Sequence, residues 1–166
     1  MSPTRTQGTS ATAVRRSEGS PPAAPPDAAG RPVLLATLDV PLDRGATTVA
    51  VDAAVESGQP LIVANVVELP PLPLSVIMGY DDLEYTEEME RSLREPAQLA
   101  QSLGLRVERL KVKSPHPVQA LLEVAAERRV GLLVFGPDRS KLGRLRFRRS
   151  VRSLRARATC LVWLPD

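Results

Sequence analysis

From Val33 onward the chain alternates between short, unbroken apolar runs and longer stretches whose apolar positions recur with helical spacing. Residues 33–38 (VLLATL) and 61–67 (LIVANVV) are apolar almost throughout, the pattern of strands buried on both faces. Between them Asp43 is placed to cap a helix in which Ala46, Val49, Ala50, Ala53 and Ala54 fall at i, i+3, i+4, i+7 and i+8, and Gly58 stops it. A Pro-rich loop follows over 69–80, carrying Leu72, Leu74, Val76, Ile77 and Met78. These five would mark a partner or lid surface if exposed together, or would fold back over the sheet edge.

A second helix is predicted behind this loop, with Tyr85, Met89, Leu93, Ala100 and Leu103 on one stripe, acids in its first turn and a kink at Pro96. Gly104 ends it. Residues 105–113 read as a third strand whose apolar phase slips between Val107 and Leu110, which predicts a bulge or an edge position. A third helix starts near Pro117 with Val118, Leu121, Leu122 and Ala125 inward, and 130–135 is a fourth strand. A fourth helix carries Phe147, Val151, Leu154 and Ala158 on one stripe, and 160–164 is the last strand. The order βαβαβαβαβ implies α/β architecture: a five-stranded, doubly wound parallel sheet with helices on both faces.

Residues 1–31 break the pattern. Apart from Met1 and Val14 they hold no large apolar side chain, and six of the first 32 residues are proline. Such a Pro/Ala/Ser-rich stretch cannot offset the entropy of ordering, so it is expected to be a disordered tail preceding one domain over 32–166.

Composition narrows the chemistry. One cysteine, Cys160, excludes an intrachain disulfide, and with His116 as the sole histidine a Cys/His zinc site is excluded as well. Cys160 opens an apolar strand, as a buried core thiol would. His116 lies between Pro115 and Pro117 without a visible catalytic partner and reads as a loop residue. No apolar run reaches the length of a membrane span and no signal-peptide core is visible, so a cytoplasmic location without membrane association is expected.

The net charge of +3 hides two opposed segments. Residues 81–95 hold seven acids against Arg91 and Arg94, whereas 128–157 hold eleven basic residues and one acid, Asp138. The acids suit a solvated helix start and lack calcium-loop spacing, so no metal site is assigned. The predicted last helix leaves Arg148, Arg149, Arg152 and Arg155 facing water. That surface reads either as an ordinary solvated face, as a site for an acidic protein or nucleic acid, or as a complement to the acidic segment of a second subunit.

In a doubly wound sheet ligands gather at the carboxyl ends of the strands where strand order reverses. If the chain starts in mid-sheet, that point lies between the first and fourth strands. Thr37, Leu38, Asp39 and Val40 leave one strand there, and Gly136, Pro137, Asp138 and Arg139 leave the other. A loop entering a helix supplies N–H groups for phosphate, with Ser150 expected near the start of the last helix. Asp39 is placed to take a ribose or base, or simply to brace its turn.

The element order, the length from 33 to 166 and the segment 132–136 (LLVFG) resemble the universal stress protein family, whose fold is adenine-nucleotide alpha-hydrolase-like. Many members bind ATP through the motif G-x-x-G, nine residues, then G-[S/T]. Gly136 and Ser150 match its ends, while Arg139 and Arg149 stand at its second and third glycines. The resemblance places Asp39 at the family's aspartate after strand one, Val66 along the adenine, and Val151 after the motif serine. It implies a nucleotide site of Thr37, Asp39, Val66, Gly136, Arg139, Arg149, Ser150 and Val151, and a homodimer formed through the last strand.

Arginine in place of a left-handed glycine costs about 1–2 kcal/mol, yet a guanidinium binds phosphate directly. The pocket is therefore either closed to ATP with magnesium or rebuilt to hold phosphate with side chains. Two functions stay open: a stress-response regulatory module with a degenerate adenine-nucleotide pocket, and an interaction protein that docks an acidic partner or nucleic acid on its Arg-rich helix. Slow ATP hydrolysis ranks third, and no enzymatic centre is specified by the sequence.

Overall fold

The computed structural model describes residues 30–69 and 87–165. The remainder, including nearly all of the expected tail, all but the first residue of the Pro-rich loop, and Tyr85, lies outside the described residues. Five strands form one parallel sheet: β1 (Val33–Leu38), β2 (Leu61–Glu68), β3 (Val107–Ser114), β4 (Leu132–Phe135) and β5 (Leu161–Trp163). Their order is β3-β2-β1-β4-β5, so β1 pairs with both β2 and β4, and strand order reverses between β1 and β4 as expected.

All six residues of β1 are buried, which accounts for its unbroken apolar run. Leu34, Ala36 and Leu38 join a core on one face, and Val33 and Leu35 join a second core on the other. The second core seats α1 (Arg44–Ser57) and α2 (Glu87–Ser102), and the first seats α3 (Pro117–Glu127) and α5 (Arg144–Arg157).

Local signals set the element ends. The Asp43 carboxylate accepts the Ala46 N–H at 2.9 Å, and Gly58 closes α1 in a left-handed conformation at φ 64. The phase slip near Val107 proves to be an edge, not a bulge. β3 stays in register with β2 from Val107 to Ser114. Leu105 and Val107 pack on one core while Leu110 and Val112 pack on the other, so the apolar pairs on either side of the slip serve opposite faces.

Four expectations need correction. The inward stripe of α2 runs through Met89, Leu93, Pro96, Ala97 and Ala100, and Leu103 lies beyond its end, 53% exposed. The basic segment forms two helices, the single-turn α4 (Arg139–Leu142) and α5, separated by Gly143 at φ 80. Only Leu161–Trp163 of the expected last strand pairs with β4, and Leu161 is 74% exposed on the open edge. Cys160, just before β5, is half-buried, and the apolar surroundings that it packs against raise its thiol pKa.

One close approach locks α1 to the sheet. A Cβ on Gly136, at the exit of β4, would lie 2.1 Å from the Ala46 Cβ in the first turns of α1. Gly136→Ala should therefore cost about 1–3 kcal/mol by overpacking, while Ala46→Gly alone should cost about 1 kcal/mol of helix propensity. Urea denaturation of the double variant should show a loss smaller than the sum of the two. Strict additivity would mean that this contact does not govern the packing.

Candidate functional site at the carboxyl edge of β1 and β4

The exit of β1 is a tight turn held by two buried polar side chains. The Thr37 hydroxyl donates to the Val40 carbonyl at 2.7 Å, and the Asp39 N–H donates to Asn65 Oδ1 at 3.0 Å. Thr37 and Asn65 are each fully buried. Between them Asp39 takes φ 55, a left-handed conformation that Asp tolerates better than bulkier residues. This brings the Asp39 carboxylate to the rim, exposed on one side.

Across the rim, Arg146 of α5 donates to Glu68 Oε2 at the end of β2 over 2.7 Å. Partial burial pushes the Asp39 carboxyl above its ordinary range; the nearby Arg146 charge opposes that rise and Glu68 adds to it. Asn65, Glu68 and Arg146 were not singled out from sequence. Asn65 alone left a trace, as the one polar residue within the apolar run of β2.

The exit of β4 is tied to that of β1 by backbone. Asp43 N–H donates to the Gly136 carbonyl at 2.9 Å, Asp138 N–H donates to the Pro41 carbonyl at 2.8 Å, and Leu42 and Pro137 form an antiparallel bridge. These donors are therefore engaged within the fold. The Asp138 carboxylate accepts from the Ser140 N–H at 2.9 Å and from the Ser140 hydroxyl at 2.6 Å, and so caps α4 itself. The Ser140 hydroxyl bond holds the Asp138 carboxyl below its usual range.

The sequence-nominated residues divide accordingly. Asp39 stands at the switch point, and Arg139 lies at the start of α4 with its guanidinium 5.0 Å from the centre of the Phe147 ring. Phe147 in turn stacks on buried Phe135 with centroids 6.0 Å apart. Val66 is fully buried and belongs to the same core as Leu38 and Val40. Val151 is half-buried against that core, and Arg149 is exposed. Thr37 braces the turn, and Gly136 carries the contact with α1.

Ser150 departs from expectation. It lies in the middle of α5, six residues beyond Arg144, and is 4% exposed. With Arg149 where a glycine would interrupt the helix, the good helix formers Arg144, Leu145, Arg146, Arg148 and Arg149 let α5 begin right after Gly143. Among the described residues no group of three or more His, Cys, Asp or Glu side chains is gathered as a metal site. Nor is any described helix long and apolar enough to cross a membrane.

A parallel sheet with its reversal between β1 and β4, and a glycine-started loop leaving β4, define a doubly wound α/β protein, a class in which ligands gather at the carboxyl ends of the strands. The model of the universal stress protein family matches residues 30–164, and the chain belongs to that family. A search of curated proteins found no match. Among solved structures, the universal stress protein UspA from Lactobacillus plantarum is 17% identical, with a TM-score of 0.60, over 82% of this chain and 99% of its own. A universal stress protein from Archaeoglobus fulgidus in complex with dAMP is 17% identical, with a TM-score of 0.57, over 83% of this chain and 99% of its own. A universal stress protein in complex with cAMP is 22% identical, with a TM-score of 0.55, over 82% of this chain and 96% of its own.

The elevated Asp39 carboxyl has a signed consequence. Its native pKa exceeds the unfolded value of about 3.9, so ionisation disfavours the fold once the pH rises through the native value. Asp39→Asn should melt higher than the parent at neutral pH, with the gap closing as the pH falls below about 3.9. Thermal melts across this range that show a pH-independent gap would contradict the assignment.

Proposed function

We propose that the protein is a stress-response binding module that takes an adenine nucleotide at the carboxyl edge of β1 and β4, and that it holds the phosphates with arginine side chains in place of a glycine-rich loop. The observation that carries this reading is the placement of Asp39 at the switch point, in a left-handed turn fixed by Asn65. Family membership and the dAMP and cAMP named for two solved relatives supply the ligand class.

In this reading the Asp39 carboxylate accepts from the ribose hydroxyls, and the apolar wall containing Val66 and Val151 borders the base. Arg139 and Arg149 give the phosphates bidentate donors at the two former glycine positions. Gly136 and Thr37 serve the site by fixing the two exits, and Ser150 by its place in α5. In support, the Asp43 and Asp138 N–H groups donate to the Gly136 and Pro41 carbonyls and Asp138 caps α4, so these two exit donors are spent within the fold. The reading is one of binding, in which no residue is assigned to activate water.

Calorimetric titration of the full chain with Mg-ATP should give saturable binding at one site per subunit. Asp39→Ala should weaken it at least about tenfold, the scale of a lost charge-assisted hydrogen bond. No nucleotide heat, or unchanged affinity in Asp39→Ala, overturns the assignment.

We also propose that the protein is a homodimer joined through the open edge of β5, where Leu161 is exposed and the strand's outer backbone faces no neighbour within the sheet. Light scattering should return twice the chain mass of 17.9 kDa, and Leu161→Asp should return the chain mass alone. A monomeric parent protein at micromolar concentration would contradict this.

A further inference from the structure

The nucleotide reading leaves unused a large share of the basic charge. α5 carries Arg144, Arg148, Arg152 and Arg155 at i, i+4, i+8 and i+11, all four exposed. At 100° per residue these fall within an arc of about 80°, and at a rise of about 1.5 Å they span about 16 Å along the helix. None of them takes part in the ion pairs between described residues. Those pairs go instead to other cations: Lys141 with Glu88, Arg146 with Glu68, Arg128 with Glu108, Lys111 and Arg109 with Glu90, and Arg91 with Glu87.

The stripe is an energetic liability in the isolated fold. Like charges at i, i+4 repel one another along a helix. α5 also has no acid in its first turn and no side-chain N-cap, so Arg144 faces the positive end of the helix dipole unrelieved. A polyanion laid along this face would relieve both penalties.

The basic track does not end with the helix. α5 and α3 share one face of the sheet. Beyond α5, Thr159 lines a groove at the amino ends of β1 and β2 whose walls also carry Arg31, Arg106 and Arg129, beside the paired Arg128 and Glu108 and the acid Glu127. All three are exposed, and none enters an ion pair between described residues. Arg129 is presented by a left-handed residue at φ 50 that terminates α3.

We infer that the α5 arginine stripe and the amino-edge groove form one surface that binds the phosphate backbone of a nucleic-acid duplex without reading its sequence. The α5 stripe offers cations at regular helical spacing, with Leu145, 71% exposed, as the large apolar side chain exposed on that helix. A protein partner would need an apolar core of contacts, and an anionic membrane would need several apolar residues to insert. Only a partner charged along its length and lacking apolar projections matches the track. Among the described residues this face also carries no exposed aromatic platform for single strands to stack on, since Phe147 is half-buried against Phe135.

The test is fluorescence anisotropy of a labelled 20-base-pair DNA duplex with the full chain over a range of salt. The parent should bind with a steep salt dependence that is alike for unrelated sequences. Neutralising the stripe (Arg144→Gln, Arg148→Gln, Arg152→Gln and Arg155→Gln together) should reduce the log–log slope by about 3–4 and weaken binding at least about tenfold near 0.1 M salt. That variant removes repulsion, so its melting temperature should be equal to the parent's or higher. A control losing four cations on the α1/α2 side (Arg44→Gln, Arg91→Gln, Arg94→Gln and Arg109→Gln) should bind the duplex almost as the parent does. Equal losses in the two variants, an unchanged slope in the stripe variant, or tighter binding of polyglutamate or of anionic vesicles than of duplex would each overturn the inference.

Discussion

The contact between Gly136 and Ala46 fixes the geometry on which the rest of the binding edge depends. Because Gly136 has no side chain, α1 comes close enough to the exit of β4 for the Asp43 N–H to reach the Gly136 carbonyl. The same Asp43 caps α1 with its carboxylate, so one residue couples the start of the helix to the end of the neighbouring strand. From there the two exits run side by side through Leu42 and Pro137, and Asp138 is delivered to cap α4. Glycine at 136 thus serves helix–sheet packing here.

The electrostatics of the edge follow from that closure. With the exit N–H groups committed, positive potential at the rim comes from guanidinium groups, and the negative groups facing them are Asp39 and Glu68. Partial burial at the Asp39 turn raises its carboxyl while Arg146 restrains the rise, which leaves an incompletely solvated acceptor at the rim. Such a carboxylate gains more from a pair of hydroxyl donors than one in open water does. The arginines that leave α5 unpaired lie on the opposite flank of the same helix from Arg146, so the two basic regions are separate surfaces.

Much of this fold was legible in the chain because its signals are local. β1 and β2 announced themselves as unbroken apolar runs, Asp43 and Gly58 bracketed α1, and the element order, given a start in mid-sheet, put the reversal between β1 and β4. The family resemblance, stated from residues 132–136 and the element order, agrees with the family match. The misreadings arose where one position answers to two faces or to a distant partner. The shift of parity between Val107 and Leu110 left a bulge and an edge both open, and β3 is the edge, a strand that feeds two cores in succession. Ser150 was expected near the start of the last helix, but α5 begins six residues earlier, at Arg144. The pairing of Arg146 with Glu68, seventy-eight residues apart, leaves no local trace at all.

The central claim is that this chain grips phosphate with guanidinium groups and not with loop backbone. Nuclear magnetic resonance of the full chain during an ATP titration, following backbone amides and arginine Nε–H groups together, tests it most directly. The account predicts saturable shifts at the side chains of Arg139 and Arg149 and at the Asp39 turn, with the amides of 136–143 nearly still. Large shifts of those amides with silent arginine side chains would show a backbone cradle and contradict it.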